Sequence, residues 1–169
     1  MIYPPGVCLP GVFTIWDIIS RGGIWMDMEQ DAEYIIAVDP GRQKYGVAVM
    51  RQNGALMLKG IIPAEEIVEQ VTDLVRRFSP AVVVTGDRTG SGKFVGLVEA
   101  AGLPIRGIET IDEHLTSQEG RRRYLTARRE QGGLIHKILP LGLQTPDRAY
   151  DDHVAVILAE RFLSRKSKN

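Results

Sequence analysis

Four acidic residues stand where the predicted strands and helices of this chain begin or end: Asp39, Asp87, Glu113 and Asp151. Carboxylates gathered from such ends are hard oxygen donors, the type that holds a divalent cation. Asp39 is the clearest case. It follows the apolar run Tyr34-Ile35-Ile36-Ala37-Val38 and opens Asp39-Pro40-Gly41, so a rigid strand stops where a turn gives access to solvent. Gly41 and Gly46 frame that turn and allow a phosphate or a second strand to approach the backbone without meeting a β-carbon. Asp-Pro-Gly is also a common turn sequence in which the aspartate bonds its own backbone. The recurrence of acids at later element ends favours the metal.

Asp87 lies just past the run Ala81-Val82-Val83-Val84-Thr85-Gly86, where a parallel neighbour of the first strand would end beside Asp39; its ordinary role would be a loop acid in a glycine-rich segment. Glu113 comes after the predicted fifth strand, with Glu109 and Asp112 close by as substitutes, Asp112 being the better candidate for a turn or cap ahead of a helix. In the last helix Asp151, Val154, Ala155, Leu158 and Phe162 share one face at i, i+3, i+4, i+7 and i+11. An acid aimed along an apolar stripe needs a partner, and either a metal or an N-cap role for Asp151 or Asp152 supplies one. Asp147 lies within reach, and His153 could carry a proton.

The elements that must position these residues follow from periodicity. Strands are predicted over Tyr34 to Val38, Gly46 to Arg51 and Ala55 to Ile62, with Gln52-Asn53-Gly54 as a hairpin. A helix is predicted from Ala64 to Phe78, with acids in its first turn and Arg76 and Arg77 in its last, as the helix dipole favours. A buried strand from Ala81, a helix from Lys93 to Ala101, a strand from Leu103 to Ile108 and helices from about Thr116 and Asp151 complete the chain, with a loop around Pro140 to Pro146. Periodicity supports an α/β class, and the order β-β-β-α-β-α-β-α is that of an RNase H-like domain with a mixed five-stranded sheet.

Composition and charge bound the rest. With 169 residues, 44% of them hydrophobic and 25% charged, the chain reads as one ordinary domain with a sizeable core, a composition that argues against a chain disordered throughout or a coiled coil. Lys plus Arg equals Asp plus Glu at 21 each, so only the distribution of charge can point to a partner. Arg121, Arg122, Arg123, Arg128 and Arg129 crowd one segment around Tyr124, and Arg88 and Lys93 add positive charge near the acids. Such a cluster is a grip for a nucleic-acid backbone, or else a solvated helix face. A single cysteine, Cys8, forms no internal disulfide and fits a reducing cytoplasm.

Residues 1–32 read as an N-terminal extension, disordered or preceding the true start, with the domain over 33–169. Their apolar stretch from Val7 to Ile19 contains Asp17 and is shorter than the ~20 residues a membrane span needs, so no membrane partner is expected. Met26 and Met28 precede the first strand and are candidate native starts, while Trp16 and Trp25 leave room for a short docked helix.

Three segments carry a family resemblance over roughly residues 34 to 163. Val38-Asp39-Pro40-Gly41 with the following residues resembles the first motif of the RuvC/YqgF type of Holliday-junction-resolvase-like proteins, Asp112-Glu113-His114-Leu115-Thr116 resembles their Asp-Glu-Arg-Leu-Thr motif, and the segment from Asp151 to Leu163 resembles their acidic last helix. His114 stands where that motif has arginine, and the segment from Gly86 to Lys93 departs from the apolar Gly-Leu-Pro usual there. The resemblance implies a nuclease that hydrolyses phosphodiester bonds with Mg²⁺ or Mn²⁺, two ions ~3.5–4 Å apart being held by converging carboxylates. Asp39, Asp87, Glu113 and Asp151 are then the expected catalytic set, with Asp152 as a further ligand and Asp39 bridging. The implied substrates are Holliday-junction-like DNA or ribosomal RNA precursor, and symmetric cutting of a junction favours a homodimer. The alternative is a noncatalytic nucleic-acid-binding module of the same fold. Thr89-Gly90-Ser91-Gly92-Lys93 fails as a phosphate loop, because Asp87 takes the place of its first glycine and Phe94 that of its Ser/Thr.

Overall fold

A computed structural model describes residues 33–80, 82–87, 90–131 and 149–168. The extension over 1–32, Arg88, Asp147 and the loop around Pro140 to Pro146 lie outside the described residues. The elements are β1 (Tyr34–Pro40), β2 (Lys44–Arg51), β3 (Leu56–Pro63), α1 (Ile67–Phe78), β4 (Val82–Gly86), α2 (Ser91–Ala100), β5 (Ile108–Ile111), α3 (Thr116–Gln131) and α4 (Asp151–Lys166). They form a mixed sheet in the order β3-β2-β1-β4-β5. β1 runs antiparallel to β2 and parallel to β4, which runs parallel to β5, so β1, β4 and β5 all end at the same edge.

The alternation of side chains along β1 divides the core between the two faces of the sheet. Tyr34, Ile36 and Val38 pack with Ile67, Val71 and Leu74 of α1 and Phe94 of α2, whereas Ile35 and Ala37 pack with Ala155, Leu158 and Phe162 of α4. Being buried on both sides, β1 reads in the sequence as a continuous apolar run rather than an alternating one. The hairpin after β2 closes as expected, with Gly54 at φ 88° and its N–H donating to the Arg51 carbonyl at 2.9 Å. α1 begins at Ile67 rather than Ala64, because residues 64–66 form a turn in which the Glu66 N–H donates to the Pro63 carbonyl.

The fifth strand lies further along the chain than its hydrophobic pattern suggests. Instead of Leu103 to Ile108 it spans Ile108–Ile111 and pairs with Val83 to Gly86. Pro104 has no N–H for a ladder, and the Ile105 N–H turns back onto the Leu103 carbonyl at 2.8 Å in a three-residue turn. Leu103 and Ile105 pack against the core beside α1 and α2 instead. The shift carries Glu113 to within two residues of the strand end.

α4 is buried around most of its circumference. The sheet covers one side and α3 the other, where a β-carbon on Gly120 would fall 2.7 Å from Val154 Cγ2. Among the described residues no helix is long and apolar enough to cross a membrane.

Candidate active site at the ends of the parallel strands

Asp39 occupies the penultimate position of β1 and pairs across the antiparallel ladder with Gly46 of β2. The backbone of Asp151, at the start of α4, lies where a Gly46 β-carbon would be. No side chain longer than hydrogen fits there, so the glycine allows the helix to set its first turn against the end of β1. Glu113 arrives from the opposite side. It follows β5, is 8% exposed, and its carboxyl fills the space that a β-carbon on Gly86 at the end of β4 would take.

Glu113 and Asp151 both act on Asp39. Burial, then the charges of Glu113 and Asp151, push the Asp39 carboxyl up to about 7 from an ordinary 3.8. Asp151 is ion-paired with Lys44, Nζ to Oδ2 at 3.2 Å, and that oxygen is buried without a hydrogen bond. Tyr150 is the N-cap of α4 and makes no side-chain cap bond, so Asp151 and Asp152 lie within the first turn rather than capping it. Asp152 turns the other way: it is 6% exposed and pairs with Lys59 of β3 at 3.1 Å. Lys59 Nζ also lies 2.7 Å from His153 Nε2, and the His153 ring meets Tyr124 edge-on.

Asp87 holds the loop that carries Glu113, its Oδ1 accepting the Glu113 N–H at 3.1 Å. It is not among the charges that raise Asp39. Asp112 makes the turn expected of it, accepting the His114 N–H at 2.7 Å, while the Glu113 carbonyl accepts from both the N–H and the hydroxyl of buried Thr116. Arg161 of α4, which sequence reasoning missed, donates to the Asp112 and His114 carbonyls at 2.7 and 3.0 Å, one on each side of Glu113. Its only sequence signal was a basic residue one turn beyond Leu158, on a helix read for its apolar stripe.

Among the described residues no three acidic, histidine or cysteine side chains form a ready metal-holding group. The donor set nevertheless suits a hard cation in two respects. Asp151 Oδ2 is a buried oxygen without a hydrogen bond, and Asp39 carries a carboxyl raised first by its burial and then by the charges of Glu113 and Asp151, a cost that a bound cation would relieve.

No protein-family model and no curated protein matches this chain. Among solved structures, the fowlpox virus Holliday junction resolvase aligns with a TM-score of 0.52 at 13% identity, covering 78% of this chain and 99% of the resolvase. The chain has an RNase H-like fold. Thermus thermophilus RuvC in complex with a Holliday junction substrate aligns at a TM-score of 0.45 with 17% identity, over 79% of this chain and 96% of RuvC. The large terminase nuclease of thermophilic phage G20c, with bound zinc, aligns at 0.46 with 16% identity, over 76% and 79%.

In this RNase H-like domain the arginine cluster divides by environment. Arg123 is tied into the fold, with Nη2 at 2.9 Å from Glu119 and 2.7 Å from Glu160, and the hydrogen bond to Glu160 foremost raises its pKa. Arg122 and Arg129 are exposed seven residues apart on α3, with Arg121 and Arg128 half-buried beside them. Arg122 lines an open groove of about 570 Å³ with His114, Leu115, Gln118 and Arg161, beside the Glu113 loop. Lys93 is exposed in the first turn of α2, whose entry at Gly90 abuts the Pro40 carbonyl just after Asp39.

Proposed function

We propose that this chain is a divalent-metal-dependent endonuclease that hydrolyses phosphodiester bonds in structured nucleic acid, with Holliday-junction-like DNA or ribosomal RNA precursor as substrate. The observation that carries the reading is the meeting of Asp39, Glu113 and Asp151 from three distant parts of the chain at one end of the sheet. Asp39, Glu113 and Asp151 would hold Mg²⁺ or Mn²⁺, which when bound supplies Lewis-acid activation of water and stabilisation of the leaving oxygen. Asp39 sits on the central strand as the fixed point, Asp87 and Arg161 hold the loop that presents Glu113, and Gly46 admits Asp151. Asp152, paired with Lys59, anchors the first turn of α4 and is a more distant candidate ligand.

The exposed guanidinium groups of Arg122 and Arg129, with Arg121, Arg128 and Lys93, support a backbone grip that is indifferent to base sequence. The fold likeness to a Holliday junction resolvase favours the branched DNA. Resolution needs two symmetric cuts and hence a two-fold homodimer, working in the reducing cytoplasm that the cysteine usage suits.

Two observations favour a second reading, a noncatalytic nucleic-acid-binding module: Asp151 already has Lys44 as its counter-ion, and among the described residues no three-ligand group stands ready. A cleavage panel of four-way junction, duplex, flap and structured RNA with Mg²⁺ and Mn²⁺ separates the two. Binding without cutting of any substrate would establish the module.

A further inference from the structure

The two adjacent aspartates that open α4 are each held by a lysine, but in different surroundings. Lys59 reaches Asp152 from the middle of β3, the aspartate side chain is 8% exposed, and His153 Nε2 adds a second partner for the ammonium at 2.7 Å. Lys44 reaches Asp151 from the first residue of β2 with its own side chain 46% exposed. The lysine side of this pair is open to water, and the pair shows no hydrogen-bond alignment, since Asp151 Oδ2, though itself buried, makes no hydrogen bond; such a pair is weak. The Lys44 backbone is fixed all the same, because its carbonyl accepts the Gly41 N–H at 3.0 Å and closes the turn that follows Asp39. The lysine is thus anchored at its root beside the carboxylates, while its side chain is half-exposed where it meets Asp151.

We infer that Lys44 is an exchangeable counter-ion, occupying Asp151 until a divalent cation displaces it, and so a determinant of the metal affinity of the site. The inference rests on the metal reading given under Proposed function. A cation of double charge held by Asp151 together with Asp39 and Glu113 would outcompete a single solvated ammonium on one of them. The ammonium lowers the charge repulsion in the metal-free protein and costs little to remove, so it weakens metal binding by the strength of one weak pair. Lys59 is less exposed, and its aspartate stays committed to the fold.

The test is calorimetric titration of the full chain with Mn²⁺, comparing wild type, Lys44→Met and Lys44→Arg, with thermal unfolding of each in chelator and in saturating Mn²⁺. Lys44→Met is expected to bind Mn²⁺ about two- to fivefold more tightly, the range set by one weak ion pair. Its melting temperature should fall below wild type in chelator and return to the wild-type value in Mn²⁺, a pattern that a purely structural lysine would not produce. Lys44→Arg should keep the wild-type affinity or bind more weakly. Wild-type binding with equal or weaker affinity in Lys44→Met overturns this inference alone. Absence of Mn²⁺ binding in both wild type and Lys44→Met overturns it together with the metal reading.

Discussion

Gly46 stands directly across the β1–β2 ladder from Asp39, and the backbone of Asp151 occupies the space its side chain would need. A residue with no side chain therefore decides whether two acids more than a hundred positions apart can meet. Gly46→Ala should push α4 away from the sheet, because the atoms it meets are backbone and cannot rotate aside. A loss of about 1–3 kcal/mol or more is expected in urea unfolding, as for other overpacked core sites.

Gly86→Ala makes the complementary case. Its β-carbon meets the Glu113 carboxyl, which can swing out of the way. Stability should change less than in Gly46→Ala, while cleavage is lost because Glu113 leaves the site. Parallel urea titrations and cleavage rates of the two variants check this ordering; equal destabilisation would remove the distinction.

The raised pKa of Asp39 fixes a pH dependence of the metal-free protein. Between 3.8 and about 7 the folded state keeps a proton that the unfolded state has released, so stability falls as pH rises through that window and the full cost is present above it. In Asp39→Asn that cost is absent. The stability difference, mutant minus wild type, should therefore grow from about pH 4 to about pH 8 in chelator, by at most roughly 1.4 kcal/mol for each pH unit crossed inside the window. Urea midpoints at several pH values measure it, and a difference independent of pH would mean that Asp39 does not titrate as described.

Arg161 and the α3 arginines separate support from binding. Arg161→Lys keeps a charge but cannot span the two carbonyls flanking Glu113, so cleavage should drop at least about tenfold with nucleic-acid affinity retained. Arg122→Ala should leave stability unchanged and lower the salt slope of nucleic-acid binding by about 1, whereas Arg123→Ala, which breaks pairs with Glu119 and Glu160, should cost at most about 1 kcal/mol of stability. Filter-binding across a salt series and thermal unfolding distinguish them.

Much of this was readable in the chain because the strongest signals are local. The uninterrupted apolar runs of β1 and β4 and the glycine of the first hairpin announce themselves, and Asp39 sits at a strand end that any reading would mark. β5 was misplaced because Leu103 and Ile105 are apolar for packing beneath α2 rather than for pairing, a distinction that only Pro104 hinted at. The contrast between Asp151 and Asp152 was not legible. Helical periodicity places both acids near the sheet, but Lys44 and Lys59 reach them from different strands, and those meetings depend on tertiary geometry. Arg123 was grouped with its neighbours by density of charge, and Glu160, which claims it, lies 37 residues away on another helix.

Single-turnover cleavage of a labelled four-way junction by wild type and Asp39→Asn, each in Mg²⁺, in Mn²⁺ and in chelator, tests the central claim most directly. Wild type should cut only with a divalent ion, and Asp39→Asn, folded and still able to bind the junction, should not cut at all. Cutting by Asp39→Asn at the wild-type rate, or by wild type equally fast in chelator, would contradict the account.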